Sequence, residues 1–136
     1  MIESRSETAR RAWIVGYWVL TAFFIVTAII STQKIRAGFL SNYAADVTCP
    51  AWLYVTLRGL HGRRPSAVGR YFAATPERAA VVLFGGSALT ELSQIWWPAG
   101  FFAGRYDPLD ILAYGIGVGA CYALEKLSMS PTASSS

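Results

Sequence analysis

The sequence predicts an all-α integral membrane bundle of four transmembrane helices with both termini in the cytoplasm. Three observations lead there. Apolar residues make up 54% of the 136 residues, with a mean hydropathy of +0.37, above the usual range for a small soluble domain. The ionised residues cluster between long apolar stretches instead of alternating with them on amphipathic faces. Lys and Arg are also divided unevenly between alternate connections. A net charge of +4 does not indicate nucleic acid, because the arginines flank apolar runs and no basic soluble face is suggested. No nucleic-acid partner is expected.

Residues 1–11 form a basic lead into the first span, about 12–31, which has no ionisable group and carries Trp13, Tyr17 and Trp18 near its cytoplasmic end. The apolar run is longer than the h-region of a cleaved signal, and Ile29, Ile30, Ser31 and Thr32 make a poor cleavage site, so the span is expected to be retained. A short connection carries Lys34 and Arg36. The second span, about 40–60, is interrupted by Asn42, Asp46 and Pro50. Asn42, Asp46, Cys49 and Leu53 fall on one helical face that can turn inward. Pro50 either kinks the helix or marks its start.

Residues 61–78 form a basic cytoplasmic loop with Arg63, Arg64, Arg70 and Arg78, and a short interfacial helix is expected near Val68 to Ala73. Its simpler role is to hold topology; the competing one is an anionic-lipid or partner site. Thr75-Pro76-Glu77 caps the third span, about 79–97, which closes on Trp96, Trp97 and Pro98. The fourth span, about 108–127, opens with Asp107 as N-cap and Pro108 in the first turn. The serine-rich tail, 128–136, is too polar to pack.

The N-terminus, the 61–78 loop and the chain end gather Arg5, Arg10, Arg11, Arg58, Arg63, Arg64, Arg70, Arg78 and Lys126 on one side, against Lys34, Arg36 and Arg105 on the other. That asymmetry places both termini inside. No internal repeat is evident. Cys49 and Cys121 have no metal-ligand spacing and read as small buried side chains.

Asp46, Glu91 and Asp110 lie in or at the edge of apolar spans. A lone carboxylate at a helix centre costs about 3 kcal/mol, so each should face inward, pair, or sit at an interface. Glu91 and Gln94 share a face and could line one polar cavity. Asp110 fits either the first helical turn, where it complements the dipole, or a functional stripe continued by Tyr114, Gly117 and Cys121. Arg105, in the outer connection, is the natural partner of these acids. It could clamp them or grip a carboxylate or phosphate headgroup. Gly115, Gly117 and Gly119 offer a close-packing surface, as does the Gly85-Gly86-Ser87-Ala88 stretch.

These residues give the C-terminal half, 79–127, a resemblance to the VanZ-like family of small bacterial membrane proteins. That family's pattern of Glu-x-x-Gln, a following Arg, then Asp with Asn four later and Gly seven later falls on Glu91, Gln94, Arg105, Asp110 and Gly117, with Tyr114 in place of Asn. In the first half Asp46 and Tyr54 fit, while Val47 and Pro50 stand where the family often has Lys and His. The resemblance implies a multi-pass protein of the bacterial inner (plasma) membrane and cell envelope.

The expected function is an outer-facing polar pocket of Asp46, Glu91, Gln94, Arg105, Asp110 and Tyr114 that engages a lipid-linked or amphiphilic molecule. Besides the lipid bilayer, a second copy or another membrane protein is an open partner. One alternative is an assembly or regulatory subunit whose carboxylates only bond helices. Another is an interfacial enzyme using Glu91 and Asp110 as acid and base. No Ser-His, Cys-His or metal-ligand cluster is present, so no catalytic residue is assigned and no metal or cofactor is expected. His61, the single histidine, reads as a solvated loop residue.

Overall fold

The computed structural model describes residues 2–33, 39–100 and 104–130. Lys34, Arg36 and tail positions 131–136 lie outside the described residues, as does the side chain of Asn42. Five helices form the fold: α1 (Ile2–Thr32), α2 (Phe39–Arg58), α3 (Ala67–Phe72), α4 (Pro76–Trp96) and α5 (Pro108–Met129). No strand occurs among the described residues.

The 31 residues of α1 make a rod about 46 Å long at 1.5 Å per residue. The basic lead expected as a separate segment is thus helical from Ile2 onward. Among the described residues, one helical stretch, Ser6–Ile30, is by itself long and apolar enough to cross a membrane. The expectation of four spans is thus met in part: the described elements are all helical, and one of them qualifies as a span by itself. The other long helices hold Asp46 and Arg58, Glu77 and Glu91, or Asp110, Glu125 and Lys126, and each is too interrupted to qualify alone.

At the centre of the bundle, α2 packs against α5, α1, α4 and α3, while α4 and α5 also pack on each other. Helix α2 continues through Pro50, and its buried positions include Thr48, Pro50, Ala51, Tyr54 and Val55. The inward face is therefore rotated from the expected Cys49–Leu53 stripe, and both of those residues are half-buried. Ala51, Tyr54, Val55, Ala79, Val118 and Cys121 form the shared core. A Cβ on Gly117 would lie 2.1 Å from the Val47 carbonyl oxygen, so α2 and α5 meet backbone to backbone. Gly115 instead faces the Phe84 ring, while Gly85, Gly86 and Gly119 have open space beside them. Of the glycines expected to pack closely, Gly117 does so most tightly.

Helix α1 is fastened to α2 by aromatic contacts. Trp52 Nε1 donates to Thr21 Oγ1 at 2.9 Å, and Phe24 stacks on Trp52 at 5.6 Å. Beyond α2, Gly59 and Gly62 adopt φ of 67° and 86°, a left-handed turn that glycine enters without a Cβ penalty. His61 between them stacks on Tyr17 at 4.3 Å and is half-buried. This corrects the solvated-loop reading: the turn folds its imidazole against α1.

Candidate functional site

One end of the bundle collects the N-terminal turns of α2 and α5 and the C-terminal turns of α4. Asp107 caps α5 by accepting from the Leu109 amide at 2.9 Å, leaving its second oxygen to accept from the Tyr43 hydroxyl at 2.7 Å. These bonds, Tyr43 foremost, then the Leu109 amide and more weakly the charge of Arg105, hold the Asp107 carboxyl below the usual carboxylate range. Helix α5 then places Asp110 and Tyr114 four residues apart on the side that meets α2 and α4.

Glu91 of α4 is 4% exposed. It accepts from the Tyr114 hydroxyl at 3.0 Å, and the Asp107 amide points at it from a longer 3.5 Å. Asp46 of α2 stands near Asp110 and Tyr114, close enough for their charges and dipoles to act on it. Hydrogen bonds therefore join Glu91, Tyr114, Asp107 and Tyr43 in one network, with Asp46 and Asp110 beside it.

Gln94 packs against Gly104 of the connection before α5, and its Oε1 is buried without a hydrogen-bond partner. Arg105 is exposed and makes no ion pair among the described residues with Glu91, Asp107 or Asp110. The expected clamp is absent because the connection turns Arg105 outward while backbone amide and tyrosine hydroxyl donors serve the acids. The mouth is consequently rich in acceptors: four carboxyl groups and a free amide oxygen. Acids gathered at this end favour ammonium groups and hydroxyl donors over phosphate.

Beside this network, an apolar groove of about 310 Å³ is lined by residues including Phe23, Tyr43, Val47, Leu109 and Ile116. A second groove of about 520 Å³ shares Val47 and Ile116 and extends past Ala51, Val55 and Cys121 to Leu124 and Ser128. Both volumes fall in the size range of small-molecule sites. Among the described residues, no cluster of three or more His, Cys, Asp or Glu side chains has the arrangement to hold a metal ion.

At the opposite end lies a second buried network that the sequence reading missed. Glu125, 1% exposed, accepts from the Tyr54 hydroxyl at 2.6 Å and from the Arg58 guanidinium through Nε at 3.0 Å and through Nη2. Arg58 Nη1 donates to the carbonyls of Ala73 and Ala74, each at 2.9 Å. The signal available in the sequence was Tyr54 and Arg58 four apart near the end of one helix, with Glu125 near the end of another. Comparison with family models, curated proteins and solved structures finds no match to this chain.

Proposed function

We propose that the chain is a VanZ-like, multi-pass protein of a bacterial plasma membrane, both termini cytoplasmic, that binds an amphiphile at its outer end. The head sits in the acceptor-rich mouth and the hydrocarbon tail in the adjoining groove. Tyr43 carries this reading: its ring lines the apolar groove while its hydroxyl donates to Asp107. One residue thus borders both surfaces an amphiphile needs. The membrane setting is supported by an inverted distribution of polarity. Val19, Phe23, Val26, Val81, Leu89, Leu112 and Leu124 are each more than half exposed, while Glu91 and Glu125 are buried. An apolar exterior over a polar interior suits lipid as the surrounding medium.

The acidic lining narrows the expected ligand from any amphiphile to one with an amine- or hydroxyl-bearing head. The protein in lipid nanodiscs should retain hexadecylamine in native mass spectrometry and release hexadecyl sulfate. The paired change Glu91→Gln/Asp110→Asn should weaken amine retention about tenfold, equivalent to one charge-assisted hydrogen bond of ~1.5 kcal/mol. Equal retention of amine and sulfate, or an undiminished amine signal in the paired variant, would leave the carboxyls as helix-bonding groups of an assembly subunit.

A further inference from the structure

We propose that α3 and the arginines around it form a rigid interfacial plate that binds the anionic phospholipid surface at the end of the bundle opposite the acidic mouth. The proposal requires the bundle to sit in a bilayer, but not the amphiphile reading, and concerns different residues.

The short helix is held in place by its buried side. Ser66 caps it by accepting from the Gly69 amide at 3.1 Å. Gly69 is buried so tightly that a Cβ there would fall 2.4 Å from the Leu57 carbonyl oxygen. Ala73 is buried one turn later, and its carbonyl is held by Arg58, itself locked to Glu125. A six-residue helix has little stability of its own. Its position is therefore imposed by α2 and α5 through Leu57, Arg58 and Glu125.

What this anchoring presents outward is apolar and cationic together. Val68, Tyr71 and Phe72 are 57%, 67% and 45% exposed, and Tyr71 and Phe72 meet edge to face at 4.9 Å. Arg63, Arg64, Arg70 and Arg78 are all exposed, and Arg78 lies over the Tyr71 ring at 5.6 Å. The nearby acid at the start of α4, Glu77, is occupied by Lys126 at 2.8 Å. Among the described residues, none of those four arginines takes part in an ion pair. Aromatic rings flanked by unneutralised guanidinium groups match a layer of acyl chains below anionic headgroups. Polyanions such as nucleic acid would give the exposed apolar residues nothing to enter.

The test uses the full chain in nanodiscs of phosphatidylcholine alone or mixed equally with phosphatidylglycerol. Native mass spectrometry should show phosphatidylglycerol retained over phosphatidylcholine, and the amides of α3 should exchange more slowly in the mixed discs. The triple change Arg63→Gln/Arg64→Gln/Arg70→Gln should lower phosphatidylglycerol retention roughly a hundredfold, about fivefold per charge. Tyr71→Ser/Phe72→Ser should remove the slowing of α3 exchange. Arg10→Gln/Arg11→Gln, which removes exposed charge from α1, should leave both readouts near wild type. Circular dichroism and melting verify that each variant is folded. Retention unchanged by the triple variant, or lost equally with the α1 variant, overturns the proposal.

Discussion

At the scale of single residues, Glu125 shows how much depends on partners distant in sequence. Its carboxylate is almost fully enclosed and satisfied by Tyr54 and Arg58. Removing one member of such a pair leaves the other charge buried without compensation. Glu125→Ala should therefore destabilise the bundle by about 3 kcal/mol, seen as a lowered melting temperature in detergent. Arg58→Met/Glu125→Leu should recover most of that loss, since it removes both charges together. Gly117 is constrained sterically: Gly117→Val drives a side chain into the Val47 carbonyl and should separate α2 from α5. Disulfide trapping between cysteines introduced across that interface would measure the separation. Asp107 supplies the pH dependence. Its folded-state carboxyl titrates below its usual range, so its contribution is present above the unfolded pKa, about 3.9, and is lost as pH falls through the lower folded value. Melting temperature followed from pH 6 to pH 3 should decline in the wild type, and that decline should be shallower in Asp107→Asn.

At the scale of elements, legibility in the sequence depended on how local the controlling physics was. Thr75 and Asp107 are caps as read, because a cap involves a side chain and amides two or three residues away. The short helix expected near Val68 forms as α3, and its cap is again local, Ser66 accepting from the Gly69 amide. The rotation of α2 was not legible, because Cys49 is more apolar than Thr48 yet Thr48 is the buried one: burial is decided by where α5 approaches. The same holds at the mouth. Asp46, Glu91, Asp110 and Tyr114 could be nominated as polar residues in apolar runs, but the outward turn of Arg105 and the arrival of Asp107 and Tyr43 depend on tertiary placement. Pro50 makes a separable prediction for α2. Lacking an amide hydrogen, it cannot donate to the carbonyl of Asp46, four residues earlier and beside the acid network. Pro50→Ala restores that donor, and the new amide should be among the slowest-exchanging in α2.

At the scale of the whole molecule, the central question is how a bundle with one self-sufficient apolar helix would occupy a bilayer. Residues Ser6–Ile30 could insert unaided; one face of α1, through Trp13, Tyr17, Leu20 and Phe24, rests on the rest of the bundle while Val15, Val19, Val26 and Ile29 face away from it. The remaining long helices bear carboxylates that gain partners only after α2, α4 and α5 assemble. Insertion of those three should therefore be cooperative: a variant that breaks the α2–α5 contact should impair membrane integration of α4 and α5 while α1 still inserts. If the bundle spans a membrane, the arginines are expected to orient it, since Arg58, Arg63, Arg64, Arg70 and Arg78 cluster at the end opposite Asp107 and Asp110. Alkaline phosphatase fused after Gly104 should be active in a bacterial host, because that connection is expected outside, and inactive when fused after Ser130. Activity at both junctions, or a chain released from membranes by alkaline carbonate, would contradict a four-span arrangement. Changing Arg63, Arg64 and Arg70 together to Glu supplies the decisive variant. If those charges set topology as well as binding lipid, the Gly104 fusion should lose activity as the second half of the bundle inverts or fails to insert.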